Sequence, residues 1–96
     1  MNIQKMMRQA QKMQEDLAAE EIKVAVAGGR VEVTANGAGE VTQIVIAPEL
    51  IEMGDAEMVQ DAVLTGVQEA LTKSREHQAK QMAKITGGLG GIPGLG

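Results

Sequence analysis

The sequence predicts an α+β fold: one N-terminal helix, a three-stranded antiparallel meander, and a long C-terminal helix that projects from the body. Three observations predict it. Apolar residues recur every three or four positions in residues 2–21 and again between residues 59 and 71. Between Ile22 and Ala47 they instead alternate singly. That alternating stretch is cut twice by glycine-bearing segments. The first spacing lays apolar side chains on one helix face, the second on one strand face, and the cuts mark hairpin turns.

In the first helix Ile3, Met6, Ala10, Met13 and Leu17 form a seam with steps alternating between four and three. Lys5, Arg8 and Lys12 fall close together on nearly the opposite face at ~100° per residue. The apolar side is expected inward and the basic side outward. From Ile22 the period is two: Ile22, Val24 and Val26 alternate with Lys23, Ala25 and Ala27. Gly28-Gly29 interrupts, and Val31, Val33 and Ala35 then alternate with Arg30, Glu32 and Thr34. Asn36-Gly37-Ala38-Gly39 interrupts again before a third run, Glu40 to Ala47. Gly and Asn tolerate the positive φ that tight turns need, so both breaks read as hairpins. Val41 and Ile44 have opposite parity, which is compatible with a bulge or with burial on both faces.

Pro48 ends the third strand, and Glu49 to Gly54 is a short connection with room for one helical turn. Asp55 is the expected N-cap of the last helix, and Glu57 suits the positive end of its dipole. Val59, Ala62, Val63, Val67, Ala70 and Leu71 form the face expected to lie on the sheet. Gly66 costs about 1 kcal/mol of helix propensity relative to Ala, and its place on that face points to close packing. Residues 72–85 are mostly charged or polar, with Met82 and Ile85 the large apolar positions. A helix from Asp55 to Ile85 is ~45 Å long at 1.5 Å per residue. A compact domain of this size has a radius of gyration of only ~13 Å, so the helix must project.

The 96 residues make one domain, expected over residues 1–86, followed by a flexible Gly-rich tail over 87–96. With no Phe, Tyr or Trp and no Cys, neither aromatic burial nor a disulfide can support the core. A subunit interface remains as a source of buried area, and a homodimer is expected. No apolar run approaches the ~20 residues that span a bilayer. No apolar segment of a signal peptide follows Lys5 and Arg8. A cytoplasmic protein without membrane contact is expected.

The net charge is −4, but it is unevenly spread. Residues 1–13 carry Lys5, Arg8 and Lys12 and no acid; residues 73–96 carry Lys73, Arg75, Lys80 and Lys84 against Glu76; twelve acids lie between. Lys73, His77, Lys80 and Lys84 are spaced by four, three and four, one stripe along a helix. Positive ends separated from an acidic body point to nucleic acid. Without aromatics there is no platform for stacking single-stranded bases. Double-stranded DNA held through its phosphates is the better match. Gln9, Gln11, Gln78 and Gln81 for adenine, and Arg8 or Arg75 for guanine, are the few side chains suited to base reading, so weak selectivity is expected.

Other chemistries have less behind them. Ser74 and His77, the lone Ser and His, are three apart on a helix, but a nucleophile also needs an orienting group and an oxyanion site. The acids Glu49, Glu52, Asp55, Glu57 and Asp61 lack EF-hand spacing. Neither glycine pair opens a helix after a strand, as a phosphate-binding fingerprint requires. No enzyme activity, metal or cofactor is expected.

The segments Met6-Met7-Arg8-Gln9-Ala10-Gln11-Lys12-Met13-Gln14, Val31-Glu32-Val33-Thr34-Ala35-Asn36-Gly37 and Ile46-Ala47-Pro48-Glu49-Leu50, followed by the long second helix and a Gly-rich, Pro-containing end, resemble the YbaB/EbfC family of nucleoid-associated proteins. The family often has an acid where this chain has Ala47. The resemblance implies a tweezer-like homodimer with helical arms, non-enzymatic DNA binding, location at the bacterial nucleoid, and roles in chromosome organisation or gene regulation. DNA contacts are expected at Lys5, Arg8, Lys12, Lys73, Arg75, His77, Lys80 and Lys84. The alternative is a protein-interaction module linked to replication or recombination, using the Met-bearing first helix or Leu89, Ile92 and Leu95 of the tail.

Overall fold

The period-two runs form three strands, β1 (Glu21–Val26), β2 (Val31–Asn36) and β3 (Val41–Ile46), in one antiparallel sheet of order β1-β2-β3. In this computed structural model residues 2–88 are described. The meander is preceded by α1 (Ile3–Ala19) and followed by α2 (Pro48–Glu52) and α3 (Ala56–Gly88). The Gly-rich tail expected from residue 87 is helical through Gly88; Leu89, Ile92 and Leu95 lie outside the described residues.

Register follows the turns. Val26 pairs with Val31 across Ala27-Gly28-Gly29-Arg30, where Ala27, Gly28 and Gly29 all take positive φ (55°, 68° and 85°). Such a run costs glycine nothing, which is why two of the three are Gly. At the second turn the ladder between β2 and β3 shifts: Thr34 pairs with Gln43 and Ala35 with Val41, leaving Thr42 as the extra residue. The opposite parity of Val41 and Ile44 is therefore a bulge.

One face of the sheet carries Val24, Val26, Val31, Val33, Ala35 and Ile46, and α3 lies on it with Val59, Ala62, Val63, Val67 and Ala70; Leu50 of α2 fills the corner. Five of the six positions expected on the apolar side of the last helix belong to this layer or pack against it; Leu71 is half-buried outside it. Gly66 allows the approach: a Cβ there would stand 2.7 Å from Val33 Cγ2. Asp55 caps α3 by accepting from the Met58 backbone N–H at 3.0 Å.

The chain extends 60 × 29 × 16 Å, with a radius of gyration of 18.1 Å. Sixteen ångströms is one sheet and one helix; sixty is set by α3, whose 33 residues span about 50 Å. Among the described residues, no helix is long and apolar enough to cross a membrane.

The expected inward face of α1 is not inward within the chain. Leu17 is buried and Met13 half-buried, but Met6 is 56% and Ile3 68% exposed. The reason is geometric: α1 meets the body through its last turn, so the seam farther out has nothing of this chain to cover it.

Candidate nucleic-acid interface

The two basic segments leave the body at the same end. Gly37, in the β2–β3 turn, donates its N–H to the Leu17 carbonyl at 2.8 Å, which docks the end of α1 there. Ser74 of α3 is fully buried and donates its hydroxyl to the Asn36 carbonyl at 2.8 Å, which docks α3 at the same turn. The turn is itself cross-braced. Asn36 Oδ1 accepts from the Ala38 and Glu40 backbone N–H groups, and its amide donates to Glu40 Oε1 at 2.9 Å. Ser74 is thus a structural tie, and its hydroxyl serves the backbone of β2.

Outward from this anchorage, Lys5, Arg8 and Lys12 stand exposed on α1, and Arg75, Lys80 and Lys84 on α3, with exposed Lys73 beside the anchor itself. Among the described residues none of these seven forms an ion pair. Asn2 caps α1, accepting from the Lys5 N–H at 3.2 Å and leaving the Lys5 side chain to solvent. Lys73, Lys80 and Lys84 keep to one line along α3. Arg75 is about 200° around the helix from Lys73, so it faces away from that line.

His77 is placed differently from the lysines around it. Its side chain is 24% exposed and its Nε2 lies 2.7 Å from Glu20 Oε2, just past the end of α1. Nε2 is shut off from solvent, and the contact lacks the geometry of a hydrogen bond. The ring edge also packs on the turn: a Cβ at Gly37 would stand 3.1 Å from His77 Cδ2 and 2.8 Å from the Leu17 carbonyl oxygen. Gln78 is half-buried, its amide 3.4 Å from where a Cβ on Gly39 would sit; Gln9 and Gln11 are exposed.

Glu20, Asn36 and Gly37 did not stand out in the sequence beyond a turn signal. Their roles arise from contacts between residues 20 and 77, 17 and 37, and 36 and 74, and no local spacing encodes such pairs. Among the described residues no group of three or more metal-ligating side chains is found.

A model of the YbaB/EbfC DNA-binding family matches residues 1–89. The chain is 45% identical to a nucleoid-associated protein of Ruminiclostridium cellulolyticum, over 98% of this chain and 88% of that one. It is 43% identical to a nucleoid-associated protein of Akkermansia muciniphila, over 100% and 99% of the two chains. In three dimensions it is similar to the crystal structure of an uncharacterized protein from Helicobacter pylori, with a TM-score of 0.71 over 86% of this chain and 96% of that one. At 20% identity, that likeness speaks for the fold alone.

Proposed function

The chain belongs to the YbaB/EbfC DNA-binding family, and from that premise we propose that it is a nucleoid-associated protein gripping double-stranded DNA as a homodimer, mainly by its phosphates and with little sequence selectivity. The role is binding, not catalysis. The observation that carries the reading is the placement of seven unpaired cations on two helices that leave the body at one end. Lys5, Arg8, Lys12, Lys73, Lys80 and Lys84 are the proposed phosphate contacts. Arg75 faces elsewhere on α3 and is proposed as a contact of the second duplex face or flank. The acidic middle of the chain repels the duplex and keeps it at the arms.

Neutralising ~4–6 phosphates makes log affinity fall with log salt at a slope of roughly −4 to −5. Charge reversal at Lys5, Arg8 and Lys12, or at Lys73, Lys80 and Lys84, is expected to weaken binding and flatten that slope while the fold persists. Unchanged affinity after both sets of changes sinks the mapping.

Two exposed apolar features support the homodimer. One is the Ile3–Met6 seam of α1; the other is β3, an edge strand whose Ile44 and Val45 are 42% and 48% exposed. β3 carries no charge and no Pro, the usual protections of a free edge. The same seam favours the second reading, a module that binds a protein partner. A pull-down that recovers a protein, with no gel shift on DNA at near-physiological salt, selects it.

A further inference from the structure

Three elements converge at the end of the sheet from which both basic helices depart. α1 arrives there with Leu17 buried and its carbonyl bonded to Gly37. That backbone hydrogen bond, buried Leu17 and half-buried Met13 seat the end of α1. Glu20, three residues on, supplies a second point by reaching His77 of α3 at 2.7 Å. Two points separated along a chain fix a direction. The joint is close-fitting, because Gly37 has no room for a Cβ between the Leu17 carbonyl and the His77 ring.

We infer that Glu20, Gly37 and His77 form a joint that sets the direction of α1 relative to α3, and that His77 is a positioning residue of the DNA-binding surface and not one of its phosphate contacts. The functional half of this inference rests on the DNA-binding reading above; the geometric half does not. The joint makes the two sets of cations address one duplex in a fixed relative orientation, so affinity depends on groups that never touch DNA.

Simple electrostatics gives the opposite sign, which makes the inference testable. Glu20→Gln deletes a negative charge beside the arms and should tighten DNA binding if charge alone matters. His77→Lys adds a cation to the stripe and should do likewise. The joint predicts that both weaken binding several-fold, with the salt slope of Glu20→Gln unchanged because no phosphate contact is lost. The chain has no cysteine, so Gln9→Cys on α1 and Ala79→Cys on α3 place a pair of spin labels without background. Labelled chain is diluted into an excess of unlabelled chain, so that measured distances are within one protomer.

The expected result is one narrow distance distribution in the parent protein. It should broaden or shift by several ångströms in Glu20→Gln and His77→Gln, with circular dichroism unchanged. Gly37→Ala, which forces the Leu17 carbonyl aside, should shift it as well. Distributions that superimpose on the parent in all three variants overturn the joint, as does tighter DNA binding by Glu20→Gln. If the parent does not bind DNA at all, the DNA-binding reading fails, and the distances still decide the joint.

Discussion

Gly66 and Gly37 are both required by close approach, but their replacement should act differently. At Gly66 a methyl meets Val33 Cγ2 at 2.7 Å in the fully buried middle of the core. Val33 is β-branched and pinned between strands, so it has little rotamer freedom with which to yield. Overpacking of this kind costs ~1–3 kcal/mol, and the helix propensity regained on leaving Gly returns about 1 kcal/mol. Gly66→Ala should therefore lower stability by about 1 kcal/mol in urea unfolding, contrary to the gain expected of a Gly→Ala change in an exposed helix. A stabilised variant would show that α3 rides up on the sheet at low cost. Gly66 was legible as a packing glycine from its place on the apolar face. Gly37 was legible as a turn residue only, since its contacts come from residues 17 and 77.

Among the elements, α3 was the most legible in sequence and α1 the least. The cap, the face and the projection of α3 all follow from spacing and length. Asp55→Ala removes the acceptor for the Met58 N–H and should cost about 1 kcal/mol, read as a lowered melting temperature with DNA affinity unchanged. For α1 the periodicity gave the helix and its apolar stripe, but not what covers that stripe. A hydrophobic repeat states that a face wants burial; it does not say whether the same chain or another supplies the cover. The bulge in β3 was half legible, since parity exposed the irregularity and only the ladder chose between a bulge and two-sided burial. Helix spacing alone puts Lys73, Lys80 and Lys84 on one line, whereas the contact of His77 with Glu20 is one no helical wheel contains.

For the whole molecule the governing facts are its elongation and its thin, aromatic-free core. A two-layer body 16 Å thick buries few large side chains. Its stability is expected to depend on association: a homodimer unfolds with a midpoint that rises with concentration. The melting temperature should climb measurably between micromolar and hundred-micromolar chain, and sedimentation should give twice the chain mass at the upper end. A concentration-independent midpoint, with monomer mass throughout, removes the homodimer. The cations remain separable from this, because Lys5, Arg8, Lys12, Lys80 and Lys84 are exposed and unpaired among the described residues.

The attachment of α1 by one end makes it a lever. Its 17 residues give an arm of about 25 Å. Each ~10° of swing at the root then carries the Asn2 tip through about 4 Å, beyond the few tenths of an ångström a hydrogen bond to a phosphate tolerates. Lys12 sits a third of the way out, Arg8 past the middle and Lys5 near the tip, so the same small rotation displaces them by increasing amounts. If these cations hold phosphates as proposed, loosening the root should release the duplex from the tip inward, Lys5 first and Lys12 last.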